Sequence, residues 1–238
     1  MRFKQFFRKT LNLLHLDVTK NLEYDRLTKL VLKKSLSENS NCIDVGCHKG
    51  EILDEILRLA PKGKHLAFEP IPELFEALKA KYQHTAKIYP HALSDSKGKA
   101  TFNFVRNAPA YSGLKQRDYA VETPDIEKIK VDMIPLDDLV SQDALPDFIK
   151  IDVEGGEFGV LKGAEQTLKA AKPVLLFECG LGASEHYGTT PNELFNFLKE
   201  LNYGVYVLKD YLSNNEALNK EAFIQLYTTN SEYYFVAK

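Results

Sequence analysis

From Asn41 onward the chain alternates short apolar runs with helical stretches, and this alternation constrains it to βαβ units and a largely parallel sheet. The runs predict strands over 41–45, 65–68, 87–90, 147–152, 174–178, 204–208 and 232–237. Helices are expected between them over 50–59, 72–82, 160–170 and 191–201. Two further runs, 100–105 and 128–134, read as extra strands flanking a loop near Tyr111, Ser112 and Gly113. The first 40 residues read differently. Positions 2–15 gather Phe3, Phe6, Phe7, Leu11 and Leu14 on one helical face, with Arg2, Lys4, Arg8 and Lys9 elsewhere. A second helix over 21–36 carries Leu22, Leu27, Leu30, Val31 and Leu36 and ends in a polar break, Ser37 to Ser40. With no internal repeat or linker, the 238 residues read as one α/β domain over 41–238 preceded by an N-terminal helical appendage, 1–40.

Composition narrows the partners. With 31 basic against 33 acidic residues, a net charge of -2 gives no electrostatic reason to expect nucleic acid. Cys42, Cys47 and Cys179 cannot all pair within one chain and show no metal-ligand spacing, which fits a reducing cytoplasm. No stretch approaches the roughly 20 apolar residues of a membrane span. The basic, apolar N-terminus lacks the unbroken apolar core and cleavage site of a secretory signal and is expected in the mature chain. Its apolar face is expected to pack on the domain or on a partner subunit, as in a homodimer; contact with a membrane surface through residues 2–15 is the alternative.

The turn Asp44-Val45-Gly46-Cys47-His48-Lys49-Gly50 joins the first predicted strand to a helix, a place where ligands approach the main chain closely. Gly46 and Gly50 allow the turn, but His48 replaces the middle glycine of a dinucleotide fingerprint, which weakens a pyrophosphate reading. S-adenosylmethionine has no phosphate, and an acid such as Asp44 can hold its ammonium group. Glu69, ending the second strand, is placed to accept both ribose hydroxyls of an adenosine, with Pro70 beginning the turn into the next helix. After the third strand, Ala92 and Leu93 within His91-Ala92-Leu93-Ser94-Asp95 are expected in a loop beside the adenine.

At the reacting end, Lys150-Ile151-Asp152-Val153-Glu154-Gly155-Gly156-Glu157 closes a buried strand with three carboxylates. Asp152 and Glu154 are the expected catalytic acids, Asp152 also touching the cofactor, while Glu157 could cap the following helix. Glu178 ends the fifth strand at the same edge, and His186 in the next loop is a candidate base. Clustered acids could hold a divalent cation, but they do not by themselves establish a site, and no metal is predicted.

Taken together, Asp44-Val45-Gly46 with Gly50, Ala92-Leu93-Ser94-Asp95 with Gly98, Leu136-Asp137-Asp138-Leu139 and the Lys150 to Glu157 run leading to Leu161-Lys162-Gly163-Ala164 resemble the FkbM family of methyltransferases from about Asn41 onward. Cys47 and His48 depart from the alanine and asparagine more usual in that family. The resemblance implies a Rossmann-like class I fold, a seven-stranded mostly parallel sheet with an antiparallel C-terminal hairpin, with S-adenosyl-L-methionine as cofactor. It also implies O-methylation of a sugar, glycan or other small hydroxylated acceptor. Two other readings are a nicotinamide-dependent oxidoreductase sharing the ribose-binding Glu69, and a non-catalytic interaction module of the same fold. Tyr111, Tyr119 and Tyr187 could stack on an acceptor ring.

Overall fold

The computed structural model describes residues 20–117, 119 and 121–238; the helix expected over 2–15 lies outside them. A helix α1 (Lys20–Ser35) leads into β1 (Cys42–Val45), α2 (Glu51–Leu59), β2 (His65–Phe68), α3 (Pro72–Tyr82) and β3 (Lys87–Tyr89). After β4 (His91–Leu93), β5 (Gly98–Val105) and β6 (Ile126–Ile134), the main sheet resumes with β7 (Phe148–Ile151) and β8 (Val174–Glu178). It ends with β9 (Val205–Val207) and β10 (Tyr234–Ala237). The order β3-β2-β1-β7-β8-β10-β9 gives seven strands, with β10 antiparallel to both its neighbours. The chain first winds from β1 toward β3 and then returns to place β7 against β1, so the switch point lies between these two strands. Crevices outside the carboxyl ends of strands at such a point are where open α/β sheets bind ligands.

Period-two alternation explains the two layers. Ile43, Val45, Ile149, Ile151, Leu175 and Phe177 point to one face, where they bury Val160, Leu161, Leu168, Leu194 and Leu198. Cys42, Phe148, Leu176 and Val236 point to the other, under Tyr24, Leu27, Val31 and Leu32 of α1 and Ile56 of α2. Asp44 and Lys150 belong to this second face, and the β1–β7 register sets them directly opposite each other. A charged pair thus interrupts an apolar surface at its carboxyl end.

Several elements differ from the sequence reading. Residues 91–93 form a strand, not a loop, because they pair with β6, which pairs in turn with β5 in a separate three-stranded sheet. The single helix expected over 160–170 is two, α4 (Glu157–Lys162) and α5 (Glu165–Ala171). They part at Gly163, where an added Cβ would sit 2.1 Å from the Ser94 carbonyl oxygen, and Asp137 caps α5 by accepting the Gln166 and Thr167 N–H groups, each at 2.8 Å. The strand expected to start at 232 begins at Tyr234. Beyond α6 (Pro191–Glu200), β9 and β10 are antiparallel neighbours joined not by a tight turn but through α7 (Leu208–Ser213) and α8 (Lys220–Thr228), which the sequence reading missed.

Leu32 is fully buried between α1 and the sheet. Leu32→Ala should therefore cost about 2–5 kcal/mol of unfolding free energy in urea titrations, the range for a buried leucine truncation. A loss below about 0.5 kcal/mol, the scale of ordinary surface substitutions, would contradict the docking of α1 described above.

Candidate active site

The turn leaving β1 is held by its own backbone. Gly46 has φ +75, and a Cβ there would lie 1.9 Å from the Asp152 carbonyl oxygen, so only glycine lets the exits of β1 and β7 approach this closely. The N–H groups of Gly46 and Cys47 both donate to the Phe68 carbonyl, at 3.1 and 3.0 Å. The His48 N–H donates to Glu69 Oε2 at 2.8 Å, and the Ile71 N–H to Glu69 Oε1 at 2.9 Å. Burial raises the Glu69 pKa to about 7, these two donors pulling the other way. Three successive N–H groups that a pyrophosphate would need are thus already committed.

Asp44 is 1% exposed and sits behind the cleft wall. Its carboxylate makes no hydrogen bond of standard geometry; its counter-charge is the Lys150 ammonium, 3.4 Å away. Lys150 also lies 3.7 Å from Asp152 Oδ2 and donates to the carbonyls of Val45 and Gly46, at 3.3 and 2.9 Å. Burial acts to lower its pKa, but the Asp44 and Asp152 carboxylates outweigh that and keep the ammonium charged.

Burial alone would raise Asp152, yet Lys150 and the Tyr234 hydroxyl, which donates to Oδ2 at 2.6 Å, hold its carboxyl below the usual range. Glu178 goes the other way: burial first, then the Asp152 charge, keep it protonated well above the usual range. Glu157 is buried and accepts the N–H groups of Val153 and Gly155 at 2.9 and 3.1 Å, with burial taking its pKa to about 7. These bonds shape the loop in which Glu154 adopts φ 60, a left-handed conformation rare for a residue with a side chain. Glu154 pairs with Arg117, and burial followed by the Asp152 charge pushes it up to about 8 against the pull of that guanidinium. Among the described residues, Asp152, Glu157 and Glu178 bring carboxylate oxygens within 4.8 Å of one another, the closest approach to a metal-ligand set. Asp152 and Glu157 already receive the donors just described.

These groups meet at a cleft of about 680 Å³ over the switch point, within the 300–1,000 Å³ usual for ligand sites. Gly46, Cys47, His48, Glu69, Pro70, Ala92, Leu93, Asp152 and Glu154 all line it. Asp44 and Gly50 do not: Asp44 faces Lys150, and Gly50 packs on the Tyr82 ring. His186 is a correction to the sequence reading. It is exposed on the short turn Ser184–Tyr187, outside the cleft, and that turn directs Tyr187 inward instead. Glu178, expected at this edge, lines the cleft, and Lys150, Tyr234 and Arg117 also line it and were missed as site residues. A lysine inside the apolar run Phe148-Ile149-Lys150-Ile151 was the available signal for the first; nothing local marks Arg117.

Residues 44–205 match the family model described as the methyltransferase FkbM domain. No curated protein matches the chain. Among solved structures, the fold resembles methyltransferase FkbM from Methylobacillus flagellatus KT, with a TM-score of 0.53 and 15% identity over 85% of this chain and 44% of that one. The chain thus spans less than half the length of that relative. Weaker likenesses include precorrin-6y C5,15-methyltransferase from Geobacter metallireducens GS-15, with a TM-score of 0.43 and 16% identity over 77% of this chain and 73% of that one. Another is a TehB-like SAM-dependent methyltransferase from Corynebacterium glutamicum ATCC 13032 Kitasato, with a TM-score of 0.43 and 11% identity over 99% and 94%. Because the matched domain covers well over half of its length, the chain belongs to the FkbM-domain family of S-adenosylmethionine-dependent methyltransferases.

Proposed function

We propose that the protein O-methylates a hydroxyl of a small acceptor such as a sugar or glycan, with Glu154 as the base that receives the hydroxyl proton. The observation that carries this reading is Glu154 itself. It is a cleft-lining carboxyl with a pKa near 8, presented from a loop fixed by Glu157.

The residues present fit S-adenosylmethionine. Glu69 keeps lone pairs free for ribose hydroxyls after accepting two backbone donors, and Ala92 and Leu93 offer an apolar wall. Gly46, Cys47, His48 and Pro70 complete this half of the cleft, and the buried His48 Nε2 has no partner among the described residues. Asp152, kept anionic by Lys150, is the group for the ammonium of the methionine end. The committed N–H groups of the turn favour this over a nicotinamide dinucleotide.

When bound, the cofactor supplies a methyl group on an electrophilic sulfonium, so the remaining task is orientation and proton removal. Glu154 takes the proton on its carboxylate. Asp152 cannot do this as well, because its lowered pKa makes it a weak base near neutrality. Tyr111 and Tyr187 line the cleft near Glu154 and Arg117, where they can flank an acceptor ring and exclude water.

Labelled-methyl transfer to fractionated native metabolites tests the activity; a product methylated on carbon or nitrogen would overturn the oxygen assignment. Calorimetry with S-adenosylhomocysteine tests the cofactor half. Glu69→Ala removes a charged acceptor worth about 1.5–3 kcal/mol, and Kd should rise roughly 10- to 150-fold. For the base, kcat/KM, which follows the ligand-free enzyme, should climb with pH and level off above about 8, since Glu154 acts in its ionised form. Glu154→Gln should lower kcat about 10²- to 10⁴-fold and leave S-adenosylhomocysteine affinity unchanged. An unchanged kcat in that variant would remove Glu154 from the mechanism.

A further inference from the structure

The partner of Glu154 points to the chemistry of the acceptor; the argument rests on the reading of Glu154 as the base. Arg117 comes from the excursion between β5 and β6, whose ends are locked together. Arg106 forks onto Asp125 with two 2.9 Å bonds, and Asn107 donates to the Thr123 carbonyl and accepts the Asp125 N–H. Within it, the Ser112 hydroxyl accepts the Val105 N–H at 3.0 Å, and Gly113 bridges to Asn103. Farther along, the Lys115 N–H donates to the Tyr187 hydroxyl at 3.1 Å. A well-anchored loop therefore delivers the guanidinium into the cleft.

There Arg117 is 11% exposed, lies 5.2 Å from the centre of the Tyr111 ring, and holds the Glu154 carboxylate through Nη2. Its Nε is buried with no partner among the described residues. A guanidinium has five N–H donors in a planar fork suited to carboxylates and phosphates, so this one has unused capacity for an oxyanion. The present pairing also opposes the proposed chemistry in two ways. The ion pair occupies the carboxylate that must accept a proton. Once Glu154 is protonated, Arg117 stands desolvated beside a neutral group, and a buried charge without a counter-charge is strongly unfavourable. An acceptor carrying its own negative group relieves both at once, taking over the guanidinium and releasing the carboxylate.

We propose that Arg117 selects acceptors bearing an oxyanion, a carboxylate or a phosphate, near the hydroxyl to be methylated, and exchanges Glu154 for that group so that the base is freed only when such an acceptor is in place. Arg117 is then a specificity residue that touches the acceptor. The exchange breaks and makes only ion pairs.

The test uses the full chain saturated with S-adenosylhomocysteine and three calorimetric titrants: glucuronate, glucose 6-phosphate and glucose. At least one oxyanion probe should bind ten-fold or more tightly than glucose, and which one does so tells a carboxylate from a phosphate. Arg117→Gln should abolish the preference, whereas Arg117→Lys, which keeps the charge but loses the fork, should keep part of it. S-adenosylhomocysteine affinity in both variants reports that they are folded. Equal binding of the three probes, no binding of any, or a preference that survives in Arg117→Gln would overturn the proposal. If S-adenosylhomocysteine itself failed to bind the unmodified chain, the proposed function would fall too, so the two failures are told apart.

Discussion

The buried ammonium of Lys150 is the interaction on which the rest of the site depends. Removing a charge from water costs several kcal/mol, and four oxygens compensate it here: the carboxylates of Asp44 and Asp152 and the carbonyls of Val45 and Gly46. Three belong to the strand and turn of β1 and one to the exit of β7, so the lysine ties together the two strands between which the chain reverses direction. It also assigns roles. Asp44 is neutralised behind the wall, while Asp152 stays anionic in the cleft although burial opposes that state.

Once Asp152 is fixed as an anion, the neighbouring carboxyls have less freedom. Glu178 ends β8, where burial first and then that nearby charge disfavour a second carboxylate, so it keeps its proton. Glu157 is turned away onto two backbone donors, where it orders a loop instead of facing a ligand. Glu154 is raised first by burial and then by the Asp152 charge, with Arg117 opposing both, and its pKa settles near 8. Four acids drawn together by two strand ends thus divide into an anion, a protonated partner, a loop anchor and the proposed base. Pairs of titratable groups pushed apart in this way are how one cleft sustains both binding and proton transfer at neutral pH.

The main sheet was legible because its strands are buried on both faces and read as near-continuous apolar runs, from Cys42-Ile43 to Leu175-Leu176-Phe177. The cleft was legible wherever a residue that lines it ended such a run, as Glu69 and Asp152 do. Two kinds of residue escaped. Some act through register: Asp44 looks like a ligand contact until the β1–β7 pairing places Lys150 opposite it, and no local pattern states that pairing. Others come from loops whose path depends on tertiary contacts, as with Arg117, or whose facing is decided by a single short turn. The Ser184–Tyr187 turn is the second kind, where one position separates an exposed histidine from a tyrosine in the cleft. The break at Gly163 is similar, since the helical pattern of 160–170 is continuous and the neighbours at the break, the Ser94 carbonyl against Gly163 and the Asp137 cap of α5, are distant in sequence.

The backbone of Glu154 shows how the loop and the chemistry are joined. A left-handed conformation costs a residue with a side chain about 1–2 kcal/mol, so glycine would be the easier choice at that φ. Gly155 follows at φ +103, with its Cβ position blocked 2.4 Å from the Ala183 carbonyl oxygen, so the chain already spends one glycine to fold this turn. Glu157 offsets the strain at Glu154 by bonding the N–H groups on either side, and Glu154 lines the cleft together with Asp152. Strain held by the surrounding structure at one residue, with a functional group at its end, is the pattern expected where a side chain must be presented in a single orientation.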